Sequence, residues 1–528
     1  MHNKTFHTLK YLVAAYLLAT VVLPLVVLFA AMDPAALRAV FYSPQFLPML
    51  DNSLFSSIWA TGISIALSFS LALALNRSMI RFKSVFVVLF TIPMLIPSIS
   101  HGTGLVLLLG DNGILTNLLG FNIGLYGHTG IILGAVLYSF PVSFLMFHDA
   151  FQYEDFAVYE AAQVLGLSSF RQFTAITLPY VRRTILSASL AVFTMVFTDY
   201  GVALMTGGTE MTLPVYMYRD VVGMMDFSSG SAIGLILLLP AIVTFLSDLL
   251  GKGETGSASA PKKYQPVPKR VRDMCVYIFF AVVLLLLCLP ILAFLCLSFV
   301  RQYPIDMTLS LNTVKKLLST GIGDYLVNSL ACALLTALFG TGLSYFTAFI
   351  TTLSPKSAVT RLLHLTSMLP LAVPGVVLGL AFVLSFQHIS LYSTLFILVV
   401  VNIVHFFSSP YLLAYNSLSK FNRNLEDVAQ SLGISRMRMI QDVYIPSTIP
   451  TIIEMYSYYF VNAMITISAV SFLANFRTMP LSLLIPQLDA QSFIEGTAFV
   501  SLLILGINLL EKLLAFLLKR AHTRHRAF

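Results

Sequence analysis

Charged residues are scarce in this sequence of 528 residues, since Asp, Glu, Lys and Arg together make up only 10%. An average soluble protein contains about 25%. A soluble globular chain is therefore excluded, and so is a disordered one, because disordered chains are polar and charged whereas 58% of these residues are hydrophobic. No long run alternates polar and apolar residues. We therefore predict a polytopic membrane protein whose spans are helices.

Cysteine is also rare, with four residues at 275, 288, 296 and 332 and no CxxC pair. We expect these cysteines to be small packing residues rather than disulfides or metal ligands. The histidines lack metal-ligand spacing, so no metal site is predicted. The phosphate-binding pattern G-x4-G-K-[ST] is missing, and we expect no ATP binding or hydrolysis by this chain alone.

Twelve apolar segments are each long enough to cross a bilayer at about 20 residues per crossing. The first follows Lys4 and Lys10 and is too long for a signal-peptide core, which predicts an uncleaved first helix. The predicted segments are 11–31, 52–75, 84–109, 128–150, 181–205, 229–250, 274–300, 325–350, 362–386, 391–415, 447–473 and 497–518.

The distribution of basic residues predicts the orientation. With both termini in the cytoplasm, 25 of the 31 Lys and Arg residues lie on the cytoplasmic side, as the positive-inside rule requires. The net charge of +8 is therefore interpreted as a membrane signature and not as a nucleic-acid surface. The stretch Gly251–Arg270, rich in Gly, Ser, Pro and Lys, predicts a flexible cytoplasmic linker. We predict a first repeat at 1–250, a linker at 251–272 and a second repeat at 273–528.

Two cytoplasmic loops repeat one pattern without a gap. EAAQVLGLSSFRQFTAITLP covers Glu160–Pro179 and DVAQSLGISRMRMIQDVYIP covers Asp427–Pro446, so that Gly166 and Gly433 are 267 residues apart. Shorter correspondences flank them: Asn-Ser-Leu at 52–54 and 328–330, Pro-x3-Pro at 93–97 and 370–374, and Thr-x-Pro at 212–214 and 478–480. The sequence therefore predicts a duplication into two parallel halves related by an axis along the membrane normal.

Each loop is built as a helix–turn–helix on the cytoplasmic face. In the first copy, Glu160–Leu165 favours a short helix, Gly166 ends it, Ser168 or Ser169 can cap a second helix, and Pro179 returns the chain to the membrane. The small pair Ala161-Ala162 allows close approach by another protein, and such a helix can insert into a groove and transmit a rigid-body movement. The alternative is a helix that only covers the bundle. Two copies with one spacing favour the coupling role.

The pattern E-A-A-x3-G-x9-I-x-L-P resembles the EAA motif of permease subunits of bacterial ATP-binding-cassette (ABC) importers. The first loop matches it throughout, whereas the second has Asp427 and Val428 at the first two positions and keeps Ala429, Gly433 and Pro446. Because the motif occurs once in each half, nearly the whole chain is similar to fused double permeases for ferric iron, thiamine, polyamines or aminoethylphosphonate.

This resemblance implies an all-α permease of the type I importer fold, with about twelve helices in two parallel six-helix repeats, in the bacterial plasma (inner) membrane with both termini cytoplasmic. It implies a homodimeric ABC ATPase that carries ATP and Mg and binds the two loops, and an extracytoplasmic solute-binding protein. Lipid is the other expected partner, and nucleic acid is not expected. The chain itself would be a transport subunit and not an enzyme.

Asp199 is predicted to lie in the outer part of the fifth span, where it could face a solute pathway or could instead cap local backbone or bind water. The Pro-x3-Pro stretches could break their spans and free carbonyls along a path, or only kink them. A secondary carrier of twelve helices is the main alternative function, and the twin loops argue against it. An intramembrane enzyme would need clustered catalytic residues, which the spans lack.

Overall fold

The computed structural model describes residues 2–250, 264–354, 357–422 and 424–526. These residues are mostly helical, and their strands form one antiparallel pair at Val300–Gln302 and Asp306–Leu309. Before the linker, the α-helices are His2–Leu17, Leu23–Ala30, Pro34–Phe41, Phe46–Arg77, Lys83–Thr91, Ser98–Leu109, Ile114–Leu119, His128–Gln152, Phe156–Val164, Ser169–Gln172, Leu178–Phe197, Gly201–Thr206, Leu213–Met224 and Phe227–Leu250. After it, they are Arg270–Leu297, Asn312–Ser319, Ile322–Leu353, Ala358–Met368, Gly375–Phe386, Leu395–His405, Ser408–Leu418, Asn424–Ser431, Arg436–Met439, Ile445–Ile465, Leu481–Ala490 and Ile494–Arg526.

Within the described ranges, 9 helices are long and apolar enough to cross a membrane, and the number rises to 11 when two bent pairs each count as one span. The all-α polytopic fold is thus confirmed. The eleventh of the twelve predicted segments corresponds to Ile445–Ile465, which has 21 residues and is about 31 Å long at 1.5 Å per residue. It is less apolar than the others because it carries Glu454 and Asn462 together with several Ser, Thr and Tyr residues.

Both Pro-x3-Pro stretches break their helices. In the first, a 3-10 turn at Ile92–Leu95 is followed by Pro97, which precedes helix Ser98–Leu109. In the second, the helical segments Ala358–Ala372 and Gly375–Phe386 meet at 114°. His101 Nε2 lies 3.1 Å from the carbonyl oxygen of Pro93, so a buried ring nitrogen reaches a carbonyl that the break removes from the helical hydrogen-bond pattern.

The fifth and eleventh predicted spans extend too far. Helix Leu178–Phe197 stops before Asp199, and helix Ile445–Ile465 stops before Thr466. The first is followed by the short helix Gly201–Thr206 and then by helix Leu213–Met224, and the second by irregular backbone and then by helix Leu481–Ala490. Apolar composition continues through both breaks, which is why hydropathy alone places the ends too late.

The chain forms two compact units, and each unit includes the first helices of the other half of the sequence. One unit comprises Met1–Phe41, Met217–Leu238 and Leu311–Phe528, and the other comprises Tyr42–Tyr216 and Leu239–Ser310. The N-terminal helices therefore pack with residues of the second half, and helix Arg270–Leu297 packs with residues of the first. The predicted limits 1–250, 251–272 and 273–528 describe repeats of the sequence, whereas the compact units are defined by packing. The predicted limits therefore remain a prediction.

Small residues allow helices within each unit to pack closely. A Cβ at Gly104 would lie 2.6 Å from Cβ of Pro290, in the helix Arg270–Leu297. In the other unit, a Cβ at Gly340 would lie 2.8 Å from the ring of Tyr459. Such close approach through small residues is the usual way for membrane helices to gain packing. The N-terminal helix is also joined to its unit by a hydrogen bond, since Lys10 Nζ donates to Ser357 Oγ over 2.8 Å.

Residues 251–263 of the predicted linker lie outside the described residues. The following residues, 264–269, form no regular secondary structure, and the next helix begins at Arg270, three residues before the predicted second repeat. Tyr264 is half-buried. Tyr264 is therefore packed against the protein, and the flexibility of the linker stays a prediction.

Candidate functional site

The first repeated loop begins with a capped helix. Helix Phe156–Val164 starts four residues before Glu160, and its N-cap is Asp155, whose Oδ1 accepts a hydrogen bond from the amide of Ala157 over 3.0 Å. An aspartate at this position satisfies an amide that has no partner within the helix. The prediction that Glu160 begins the helix is therefore wrong, and Glu160 lies in its middle, half-buried.

Gly166 ends this helix through a backbone conformation that favours glycine. Its φ is +69°, and the amide of Leu167 donates to the carbonyl oxygen of Ala162 over 3.0 Å. This is the hydrogen-bond pattern by which a left-handed residue closes a helix. A Cβ at Gly166 would meet nothing within 4 Å. The requirement for glycine is thus conformational and leaves the surface around it open.

The chain then returns to the membrane through a second short helix. Ser168, one of the two predicted caps, accepts a hydrogen bond at Oγ from the amide of Arg171 over 3.4 Å and caps helix Ser169–Gln172. A π-helical turn follows at Phe173–Thr177, and Pro179 lies in the first turn of helix Leu178–Phe197. Proline suits this position because the first amides of a helix have no helical partner.

The second loop repeats these features at the same spacing. Gly433 has a φ of +69°, and the amide of Ile434 donates to the carbonyl oxygen of Ala429 over 2.8 Å. Ser435 caps the next short helix, accepting from the amide of Arg438 over 3.3 Å. Its π-helical turn is Ile440–Tyr444, followed by Pro446 in the first turn of Ile445–Ile465. Asp427 lies in helix Asn424–Ser431, and its side chain is outside the described part of the structure.

Both loops expose apolar side chains, of which Leu165 and Leu432 occupy equivalent positions. Ala162 and Ala429 are buried, at 4% and 5% exposure. Of the small pair in the first loop, only Ala161 is exposed, and the assignment of both alanines to the coupling loop stays a prediction. Apolar side chains at the tips are instead accessible: Val164 and Leu165 are 88% and 77% exposed in the first loop, and Val428 and Leu432 are 53% and 68% exposed in the second.

A buried polar cluster of Arg77, Glu154, Tyr159 and Thr177 lies at the base of the first loop, where the loop joins the spans. Arg77 donates to Glu154 over 2.6 Å, and the side chain of Glu154 is only 3% exposed. The hydroxyl of Tyr159 donates to Glu154 and lies 2.7 Å from the hydroxyl of Thr177. Burial raises the pKa of Glu154, while its hydrogen bond with Tyr159 and the charge of Arg77 oppose the rise. Burial also raises the pKa of Tyr159 to about 12.

An aromatic cluster occupies the corresponding place in the second loop. Tyr444, at the position equivalent to Thr177, is 1% exposed. Its ring lies 5.5 Å from that of Phe349 and 5.1 Å from that of Phe421, both in edge-to-face geometry. Phe421 stands at the position equivalent to Glu154. The two loops thus share their backbone but differ in the side chains that support them.

The flanking sequence correspondences are contacts on the other side of the membrane spans. Ser53 Oγ accepts a hydrogen bond from the amide of Leu213 over 2.9 Å, and Ser329 Oγ accepts one from the amide of Leu481 over 2.7 Å. The preceding asparagines form hydrogen bonds as well. Asn52 Nδ2 donates to the carbonyl oxygen of Met211 over 3.1 Å, and Asn328 Nδ2 donates to the carbonyl oxygens of Arg477 and Met479. Each Asn-Ser pair therefore forms hydrogen bonds with the backbone at the Thr-x-Pro segment of its own half. The sequence showed that both segments recur but did not predict this contact.

Asp199 caps local backbone. Its Oδ2 accepts a hydrogen bond from the amide of Val202 over 2.9 Å, at the start of helix Gly201–Thr206. It also lines a small cavity of ≈ 20 Å³ with Ser53, Ser57 and Thr212. Such a volume has room for about one water. The capping alternative is what the structure shows, and a role in the pathway stays a prediction.

The comparison with known families decides the class of protein. The family described as "Binding-protein-dependent transport system inner membrane component" matches residues 64–252 and again residues 340–522. The chain belongs to this family. Each match contains one of the repeated loops, so the predicted duplication and the predicted transport permease are confirmed. The family is one of transport permease subunits of ABC importers, which are not enzymes themselves, and it does not support the secondary carrier.

Several relatives with named functions match along most of the chain. The ferric transport system permease protein FbpB of Actinobacillus pleuropneumoniae is 26% identical over 456 residues, which cover 81% of this chain but 65% of that protein's length. A putative ferric permease FbpB 1 of Haemophilus influenzae is 25% identical, with 84% and 73% covered. The thiamine transport permease ThiP of Brucella abortus is 22% identical, with 73% of each chain covered.

Proposed function

We propose that the two repeated loops are coupling sites through which a separate ATPase drives solute import across the bacterial inner membrane. One observation carries this proposal: the same glycine-terminated helix, closed by the same hydrogen bonds, occurs twice at an interval of 267 residues. A homodimeric ATPase offers two equal binding grooves. Two loops of equal backbone geometry are suited to such a partner.

The exposed apolar tips supply the contact surface. Val164 and Leu165 project from the first loop and Leu432 from the second. Apolar side chains that are exposed together often mark a surface that a partner protein covers. The proposed partner groove is therefore apolar and accepts a short helix end-on. Movement of the two grooves toward each other would draw the loops together and shift the spans that follow each loop, Leu178–Phe197 and Ile445–Ile465.

We propose the rest of the assembly on the same basis, and membership of the family supports a binding protein as a further partner. Solute would arrive on that protein at the face opposite the loops, and both termini of the chain would lie in the cytoplasm, as the distribution of basic residues predicts. Ferric iron complexes and thiamine are the first solutes to test, because relatives that match along most of the chain carry those names.

Site-specific photo-crosslinking in native membranes tests the proposal. A photoreactive residue at Val164 and one at Leu432 should each capture the same ATP-binding polypeptide, identified by mass spectrometry. The control is Leu309, which is 85% exposed in the strand Asp306–Leu309 and should capture none. Crosslinks to lipid or water alone at both loop positions, in chains that insert normally, would overturn the coupling role.

A further inference from the structure

The end of the linker contacts the base of the first loop through one aromatic ring. The ring of Tyr264 lies over the guanidinium of Arg77, with 3.7 Å between Arg77 Cζ and the ring centroid. The ring of Tyr159, in the first loop, lies 4.2 Å from the same carbon. The two rings meet at 86° with centroids 5.5 Å apart, and Phe156 packs edge-on against Tyr264 at 4.8 Å. Aromatic faces attract a guanidinium in this geometry.

Arg77 connects this ring to both ends of the loop. Its guanidinium donates to Glu154, which precedes the loop helix, and Glu154 accepts from the hydroxyl of Tyr159. Tyr159 in turn lies within hydrogen-bond distance of Thr177, at the end of the π-helical return. The arginine at the end of helix Phe46–Arg77 therefore contacts the start of the loop directly and its end through the hydroxyl of Tyr159.

Tyr264 also keeps water from this ion pair. The side chain of Arg77 is 16% exposed and that of Glu154 is 3% exposed. Charge pairs are strong where the local dielectric is low and contribute little once exposed to solvent. Removal of the Tyr264 ring would expose one face of the Arg77 guanidinium to water. The ion pair between Arg77 and Glu154 would then be weaker.

The helix after the linker is attached to the same corner. Asp273 Oδ1 accepts a hydrogen bond from the amide of Met79 over 3.2 Å, and the hydroxyl of Tyr277 accepts one from the amide of Arg81 over 2.8 Å. Both residues belong to helix Arg270–Leu297. Arg272, in the same helix, also donates to the carbonyl oxygen of Val267 over 2.8 Å. The chain from Tyr264 to this helix is thus short and fixed at both ends, by the contact with Arg77 and by these hydrogen bonds.

We infer that Tyr264 is a positioning residue that orients the first coupling loop by covering Arg77. This inference rests on the proposed coupling function of the loop. The second loop is supported by Phe349, Phe421 and Tyr444 with no arginine at the equivalent place. Tyr264 therefore acts on the first loop, and the two loops differ in how they respond to the ATPase.

The test uses the full chain with its ATPase and binding protein in proteoliposomes, and it measures solute imported per ATP hydrolysed. Tyr264→Ala and Tyr264→Leu should lower this ratio by about fivefold, since a cation–π contact of ordinary strength is lost. Tyr264→Phe should keep the wild-type ratio, because the ring and not the hydroxyl contacts Arg77. Val267→Ala is the matched control, three residues along and 63% exposed, and should also match the wild type.

A double-mutant cycle with Arg77 tests whether Tyr264 acts through its contact with this arginine. Arg77→Gln should lower the ratio as well, and adding Tyr264→Leu to it should cause no further loss, because both variants act through one contact. A wild-type ratio in Tyr264→Leu, or equal impairment of Tyr264→Phe and Tyr264→Leu, would overturn the inference while leaving the coupling role intact. Failure of the wild-type chain to bind any ATPase would instead overturn the proposed function.

Discussion

The carbonyl oxygen of Ala162 accepts a hydrogen bond from the amide of Leu167 over 3.0 Å, across the turn at Gly166. At an interval of 267 residues, Ala429 and Ile434 form the same bond across Gly433 over 2.8 Å. A helix that only covers a bundle has no need of a fixed ending. Two equal endings are expected when each loop must fit an equal groove on a partner.

Substitution of Gly166 should impair uptake through its backbone alone. The residue has a φ of +69°, where a side chain costs roughly 1–2 kcal/mol, and nothing else obstructs a Cβ. Gly166→Ala and Gly166→Val should therefore reduce uptake progressively, whereas Gly166→Asn should retain more because asparagine tolerates this conformation. Gly62→Ala is the control, at an exposed helical position with equally open space. Uptake that is the same in Gly166→Val and Gly62→Ala would show that the helix ending is unimportant.

The buried carboxyl of Glu154 should make stability depend on pH. Its pKa in the folded protein is raised, chiefly by burial. The folded state therefore holds the proton more tightly than the unfolded state, and this contribution to stability is present below the ordinary pKa of glutamate and is lost as pH rises through the raised value. Thermal unfolding in detergent from about pH 4 to 7 should show this decline in the wild type. Glu154→Gln should remove it, and an unchanged pH dependence in that variant would contradict the assignment.

The repeated Asn-Ser pairs should stabilise their spans. Ser53→Ala leaves the amide of Leu213 without its acceptor, and Ser329→Ala does the same to Leu481. An unsatisfied buried amide costs about 1–3 kcal/mol, so each variant should unfold at lower temperature. Ser70→Ala is the control, since its exposed hydroxyl bonds only within its own helix, to Ala66. Unfolding temperatures of Ser53→Ala and Ser70→Ala that coincide would argue against a stabilising role for the hydrogen bond from Leu213 to Ser53.

The orientation can be checked with two single cysteines in a chain whose four native cysteines are replaced, since Cys275 and Cys296 are exposed. Ile305→Cys, at 80% exposure, should react with a membrane-impermeant maleimide in intact spheroplasts. Val267→Cys, at 63% exposure, should react only after permeabilisation. The bias of 25 of 31 basic residues to one side predicts this pattern, and the reverse labelling would invert the topology.

Local patterns predicted the loops because their determinants lie within a few residues of one another. Glycine at the helix end, serine at the next cap and proline at the return each act on neighbouring backbone, so Gly166, Ser168 and Pro179 were found from the sequence. Asp155 was missed as the cap, although its position before an apolar helix start was a usable signal.

Long-range contacts could not be predicted in the same way. Arg77 and Glu154 are 77 residues apart, and no periodicity in the sequence joins them. Tyr264 lies in a stretch whose composition is typical of a flexible linker, yet its ring is packed on Arg77. The exchange of first helices between the compact units also depends on packing that hydropathy does not encode.

The most direct test of the account is native mass spectrometry of the assembly purified in mild detergent. The wild-type chain should carry two copies of one ATP-binding subunit, and a chain with both Gly166→Val and Gly433→Val should lose them while remaining inserted and folded. A wild-type chain that carries no ATPase and drives solute uptake by itself in proteoliposomes under an ion gradient would contradict the account.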